Sequence, residues 1–260
     1  MVSNPFDLTG KAALITGGNG GIGLGMAEGL AAAGAKVVIW GQNPEKNAKA
    51  EATLKAYGGE VLAQRVDVAD EAAVVAGVAE AIGAMGRLDF VAANAGVGGG
   101  APSFAEYTTE QWRRITTVNL DAVMWTFREA VKHMVERAKA GDAGGSLLVT
   151  SSTSAIDGAP RNQAYASTKG GVIAMIRGLA VEYARYGVRA NAVLPGWIRS
   201  DMTAGLQGWD KFNQQVIPRV PMRRWGEPED FSGIAVYLAS DASRFHTGDS
   251  FVIDGGYTIF

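Results

Sequence analysis

Short, mostly apolar blocks punctuate the chain at 12–16, 36–40, 61–66, 88–92, 146–151, 189–194 and 250–253. Runs of this length that are mostly Val/Ile/Leu/Ala rather than alternating polar and apolar are what strands covered on both faces look like. The intervening stretches carry helical spacing, and the regular exchange of the two patterns predicts an α/β fold: a doubly wound parallel sheet of about seven strands with helices on both faces. No internal repeat, low-complexity tract or linker interrupts it, so one domain over 1–260 is expected. The longest irregular stretch, 198–226, carries a short helical pattern around 204–216 bounded by Gly205, Gly208 and Pro218. Loops of this length in compact domains are commonly functional, and we read it as a lid over a pocket. Trp197, Met202, Trp209 and Phe212 would wall that pocket, and Arg199, Lys211, Arg219 and Arg223 could meet an anionic group.

In open parallel sheets, ligands bind beyond the carboxyl ends of the strands. Gly17, Gly41, Asp67, Asn94, Ser152 and Pro195 all fall at or just after the expected ends. Between the first strand and the first helix runs Gly17–x–x–x–Gly21–Ile22–Gly23. Glycines suit a sharp turn that lets backbone approach a pyrophosphate, and the helix that follows offers free N–H groups and a favourable dipole. No Gly-Lys-Ser/Thr ending follows, which argues against a phosphate loop of the NTPase kind. A Rossmann-type dinucleotide site is the expectation. Later in the chain, Tyr165 and Lys169 are spaced to share one face of a helix beginning near Gln163. An ammonium beside a phenol favours the phenolate, which brings tyrosine, with a usual pKa of about 10, nearer to acid/base work at neutral pH. Ser152 could then hold a substrate oxygen by hydrogen bonding.

Taken in order and spacing, Thr16-Gly17-x-x-x-Gly21-x-Gly23, Asn94-Ala95-Gly96, Asn119, Ser152, Tyr165, Lys169 and Pro195-Gly196 resemble the short-chain dehydrogenase/reductase family over nearly the whole chain. One departure is Ala93, where the family usually has Asn. The resemblance implies NAD(P)-dependent interconversion of a secondary alcohol and a ketone without a metal. It implies Tyr165 as the general acid/base, Lys169 as the group that lowers its pKa and binds the nicotinamide ribose, and Ser152 as the residue that orients the substrate oxygen. Asn119 matches the family position that kinks a helix and anchors a water leading to the lysine. Gly17, Asn19, Gly21, Ile22 and Gly23 would surround the pyrophosphate. Asp67 and Val68 would lie at the adenine, and Asn94, Ala95 and Gly96 along the ribose. Pro195, Gly196, Ile198 and Ser200 resemble the family's nicotinamide segment. Ser154, Arg161, Trp197 and Trp209 are substrate-pocket candidates. The family also implies a homotetramer.

A carboxylate after the second strand would bind the adenosine ribose hydroxyls of NAD, and an Arg there the 2′-phosphate of NADP. This chain offers Gly41-Gln42-Asn43, with neither group, so Gln42 is the candidate contact. NAD is expected because a phosphate without Arg would forgo bidentate pairing, with NADP left open. The segments PFDLTGK and HTGDSFVIDGGY look most like sugar-acid and polyol dehydrogenases of the gluconate 5-dehydrogenase and 2-deoxygluconate 3-dehydrogenase types. A 3-oxoacyl-carrier-protein-type reductase using NADPH is the alternative enzyme, and a nucleotide-sensing regulator the alternative outside catalysis. A serine hydrolase is disfavoured because Ser152 lacks a Gly-x-Ser-x-Gly turn.

Composition narrows the picture further. The formal net charge is −2, which leaves no basic footprint for nucleic acid. No apolar run reaches the length of a membrane helix and the start lacks a signal-peptide core, so a cytoplasmic protein with a small-molecule substrate is expected. There are no cysteines and two histidines, His133 and His246, which argues against zinc-dependent dehydrogenase chemistry.

Overall fold

The computed structural model describes residues 4–260, so of the domain expected over 1–260 the first three residues lie outside the described residues. Seven parallel strands form one sheet in the order β3-β2-β1-β4-β5-β6-β7. They are β1 Ala12–Thr16, β2 Lys36–Gly41, β3 Val61–Arg65, β4 Phe90–Ala93, β5 Gly145–Thr150, β6 Val188–Pro195 and β7 Ser250–Ile253. The strand order reverses between β1 and β4, which opens a crevice at their carboxyl ends.

Alternate residues of each strand feed two separate cores. Ala12 and Leu14 of β1, with Val38 and Trp40 of β2, pack against α3 (Glu71–Met85), α5 (Ala122–Lys139) and α6 (Gln163–Tyr183). Ala13 and Ile15, with Val37 and Ile39, face α1 (Gly21–Ala32), α2 (Pro44–Lys55) and α9 (Ser232–Ala239). Both faces of the central strands are therefore dry, which is why their sequences show no polar alternation. Helix starts follow local chemistry. The Asn43 side chain accepts from the Lys46 N–H, with Pro44 in the first turn of α2, and Asp70 caps α3 by accepting from Ala72 and Ala73.

β1 and β7 match the sequence expectation, and edges of the other strands move by one or two residues. The fourth begins at Phe90 rather than 88, because the Leu88 N–H donates to His133 Nε2. Two helices also divide. The helix carrying Asn119 becomes α4 (Thr109–Thr116), a π-helical turn over Thr117–Asp121, and α5. The helix expected around 204–216 becomes α7 (Ala204–Gln207) and α8 (Asp210–Val216), separated at Gly208-Trp209. Among the described residues no helix is long and apolar enough to cross a membrane.

Candidate active site

The glycine-rich turn leaves β1 with Gly17 at φ 64°, a backbone region that side chains disfavour. A Cβ on Gly23 would collide with the Gly17 carbonyl and the Asn94 amide. The turn thus closes tightly only with glycine at both places. Gly20, the residue preceding α1, supplies no side-chain cap, and the first turn holds no acidic residue. Space around Gly20 is open. Uncapped N–H groups facing open space at a helix start suit an anionic group, so the pyrophosphate of a dinucleotide fits the residues present.

Asn94 follows β4 and ties three strand ends together. Its Nδ2 donates to the Thr16 and Gly17 carbonyls at 3.1 and 3.4 Å, and the Thr150 hydroxyl donates to its Oδ1 at 3.0 Å. Thr16 Oγ1 accepts from the N–H groups of Asn94 and Ala95 at 3.0 and 2.9 Å. The Asn94 side chain and the N–H groups of Asn94 and Ala95 are thereby occupied with protein. Asn19 likewise turns away from the glycine turn, donating to Asn47 Oδ1 at 2.7 Å. Gln42 donates to Asp67 Oδ1 at 2.7 Å, which joins the ends of β2 and β3. Asp67 also accepts from the Ala69 N–H, while the helix cap is Asp70, and neighbouring Val68 is buried.

Ser152, Tyr165 and Lys169 come together where β5 hands the chain to α6. Lys169 is buried, and its Nζ donates to the Thr150 carbonyl at 2.7 Å and stands 5.4 Å from the centre of the Tyr165 ring. The Ser151 hydroxyl donates to the Lys169 carbonyl, so α6 is bolted to β5 at this level. Burial pushes the Lys169 ammonium down to about 8. Burial also raises Tyr165 above its usual value, with hydrogen bonding from Ser152 pulling the other way. The ammonium expected to lower the proton affinity of Tyr165 stands beside its ring, where its charge favours the phenolate once the proton has left. The ammonium lies over the ring, tied to Thr150, and desolvation of the phenol dominates.

Asn119 is wholly buried inside the π-helical turn. Its Oδ1 accepts from the Val97 N–H at 2.8 Å and its Nδ2 donates to the Val97 carbonyl at 3.0 Å. A Cβ on Gly96 would lie 3.3 Å from Asn119 Oδ1 and 3.5 Å from Lys169 Nζ, so Asn119 and the lysine converge on this glycine. The extra residue of the π turn is what swings the amide toward β4.

On the substrate side, the Ser154 N–H donates to Ser152 Oγ at 3.1 Å, while the Ser154 hydroxyl is buried without a partner. Arg161 adopts φ 65°, rare for a residue with a side chain. Its carbonyl accepts from the Ala101 N–H and the Tyr107 hydroxyl, both at 3.1 Å, so the loop after β4 holds it.

Segment 195–200 leaves β6. A Cβ on Gly196 would meet Asp254, so a larger residue cannot sit there without displacing the turn after β7. Buried Ile198 gives its carbonyl to the Thr203 hydroxyl, and a Cβ on Gly21 would meet the Ser200 Cβ at 3.2 Å, which seats this segment over the glycine turn. The excursion that follows is closed at its base. The Arg199 N–H donates to the Gly226 carbonyl and the Gly226 N–H to the Trp197 carbonyl, both at 2.9 Å. Above that base, Trp197 meets Phe212, Trp225 and Tyr257 edge-on with ring centres 4.9, 6.2 and 6.3 Å apart. Trp209 stacks on Phe212 and is half exposed. Trp225 is buried and donates to Asn213 Oδ1. Only its aromatic type marked it in the sequence. Several candidate cations here are engaged: Arg199 pairs with Glu227 at 2.9 Å, Arg219 lies over the Tyr257 ring and Arg223 over the Phe260 ring. Among the described residues there is no cluster of three or more metal-binding side chains.

Residues 17–258 match the family model described as enoyl-(acyl carrier protein) reductase. The chain is 34% identical over 254 residues to a gluconate 5-dehydrogenase of Gluconobacter oxydans, covering 98% of this chain and 97% of that protein. It is 38% identical over 255 residues to an NADP-dependent (R)-specific alcohol dehydrogenase of Lentilactobacillus kefiri, covering 96% and 98%. The crystal structure of a short-chain type dehydrogenase/reductase from Mycobacterium marinum, 32% identical, superposes with a TM-score of 0.92 over the whole of both chains. With the strand order, the glycine turn and the Ser152, Tyr165 and Lys169 constellation, these likenesses establish that the chain belongs to the short-chain dehydrogenase/reductase family of NAD(P)-dependent oxidoreductases.

Proposed function

We propose that this protein interconverts the secondary alcohol of a sugar acid or polyol with its ketone, using NAD in preference to NADP. The observation that carries the reaction is the junction of β5 and α6, where Ser152, Tyr165 and buried Lys169 share one site beside the strand ends. When bound, the dinucleotide supplies or accepts the hydride. Tyr165, whose proton is held more tightly by burial, gives its Oη proton to the ketone oxygen in reduction, and in oxidation its phenolate takes the alcohol proton. The Ser152 hydroxyl holds that oxygen in line. Lys169, still largely charged at neutral pH, stabilises the phenolate left behind and binds the nicotinamide ribose. Asn119 fixes Val97 and the backbone beside Gly96, which shapes the wall next to Lys169.

The uncharged Gly41-Gln42-Asn43 segment supports NAD, since it offers no forked cation to a 2′-phosphate. Arg161 is our candidate for a substrate carboxylate. It has no ion pair among the described residues, whereas Arg199 is paired with Glu227. We read 198–226 as a lid and the chain as a single domain acting in the cytoplasm as a homotetramer. Exposed apolar side chains such as Val181 on α6 and Met124 on α5 support assembly.

Initial rates with NAD⁺ and NADP⁺ across sugar acids, uncharged polyols and aliphatic secondary alcohols test the reading. A sugar acid should exceed its polyol in kcat/KM by roughly tenfold, the worth of one charge-assisted contact, and that advantage should shrink at high salt. Equal values for acid and polyol with no salt effect would remove the sugar-acid assignment.

A further inference from the structure

One ion pair crosses the cleft at the carboxyl edge of the sheet. Lys46 Nζ lies 2.6 Å from Asp201 Oδ2, joining residues 155 positions apart. Lys46 stands in the first turn of α2, a few residues past the uncharged end of β2. Asp201 directly follows Ser200, the residue seated beside Gly21. The pair therefore spans from the second strand's end to the segment over the glycine turn. A dinucleotide lying along the ends of β1 and β2 would place its adenosine ribose beneath this span.

Lys46 is the only cation in 41–47. Gln42, the neutral residue nearest the strand end, already gives its amide to Asp67. We propose that Lys46 and Asp201 form a coenzyme-selecting latch, in which Lys46 is the group that takes the 2′-phosphate of NADP and Asp201 competes for it. The inference rests on the dinucleotide reading given above. NAD leaves the pair intact and the segment fastened to α2. NADP must draw Lys46 from Asp201, and because both side chains are largely exposed the pair is weakly held. A phosphate, carrying more charge and more acceptor oxygens than a carboxylate, can win that exchange. The acidic partner thus acts against NADP without itself touching the ribose, as a repulsive element does in specificity generally.

A second cation stands close enough to be a rival. Arg65 ends β3, directly beside Gly41 in the sheet register, and has no ion pair among the described residues.

Equilibrium binding of NAD⁺ and NADP⁺, by calorimetry and tryptophan quenching, to the wild type and to Lys46→Gln, Asp201→Asn and Arg65→Gln separates these roles. Asp201→Asn should tighten NADP⁺ about three- to fivefold while NAD⁺ stays within about twofold, as release from one exposed pair would allow. Lys46→Gln should weaken NADP⁺ roughly tenfold with NAD⁺ unchanged, and the effect should fade at high salt. Parallel shifts for both nucleotides in Asp201→Asn would reduce the pair to a plain tether and overturn the proposal. Loss of NADP⁺ in Arg65→Gln but not in Lys46→Gln would overturn it in favour of Arg65. If the wild type bound neither nucleotide, the dinucleotide reading itself would fail first.

Discussion

Burial moves Tyr165 and Lys169 in opposite directions along the pH axis but favours the neutral form of each. The phenol holds its proton more tightly than in water, and the ammonium releases its proton near 8. Tyr165→Phe removes the titrating hydroxyl and keeps the ring, so kcat should fall by about 10²- to 10⁴-fold, the usual worth of a positioned acid/base. Coenzyme Kd, read by fluorescence, should hardly change. Lys169→Ala should weaken both rate and coenzyme binding, and the pH profile of the wild type should contain a limb near 8 that this variant lacks. The stability sign follows from the same shift. The folded-state pKa of Lys169 lies below its ordinary 10.5, so the unfolded chain binds the extra proton between about 8 and 10.5. Stability contributed by this group therefore rises with pH across that window.

At the scale of elements, the excursion between β6 and α9 is a short-helix module with a fixed base. Its two ends are joined through the Trp197, Arg199 and Gly226 backbone, and its aromatic centre is Trp197, Phe212 and Trp225. We propose that this module, fastened at its base and half exposed at Trp209, closes over a pocket as one piece. Trp197→Ala should raise KM several-fold or change which alcohol is preferred, with coenzyme Kd close to that of the wild type. Iodide quenching of Trp209 fluorescence should decrease only when coenzyme and substrate are both bound. Equal quenching in free and ternary states would mean that the module does not close.

Across the whole molecule, the two edges of the sheet are built differently. The carboxyl edge gathers glycines and the titrating residues, whereas the amino edge is fastened by ion pairs. Buried Asp89 accepts from the Ala12 N–H at 3.0 Å and from Arg87 at 2.6 and 2.8 Å, and pairs with Arg137 at 3.1 Å. Burial works against its charge, yet the Arg87 and Ala12 hydrogen bonds and the Arg137 charge outweigh it and hold the carboxyl below its usual 3.8. Its stabilising effect is thus present above that ordinary value and lost as pH falls through the lowered one. Asp89→Asn should destabilise the fold by about 3 kcal/mol, because Arg87 and Arg137 lose their buried counter-charge and keep only the half-exposed Asp142. Urea unfolding at neutral pH and at about pH 3 measures this, and the gap between variant and wild type should narrow in acid. An unchanged gap would assign the loss to packing.

The sequence by itself determined the parallel sheet, the glycine turn and the Tyr165 and Lys169 spacing. Each of these is a local regularity: mostly apolar runs for doubly covered strands, glycine where backbone must turn, and a four-residue step for one helix face. Strand edges slipped by a residue or two because pairing with neighbours, not the run itself, ends a strand. Tertiary structure decided what distant side chains meet. The side-chain partners of Asn94 and Asn19, which are Thr16, Gly17 and Asn47, come from distant elements. Trp225 carried no sequence signal beyond its type, yet it is buried against Trp197 and Phe212 in the aromatic cluster. Lys46 and Asp201 meet because the segment after β6 crosses over the glycine turn toward the start of α2, although β5, β4 and β1 lie between their strands in the sheet. Periodicity records which face of an element is buried. It does not record which other element lies there, and that partner sets the charge, the hydrogen bonds and the pKa at the site.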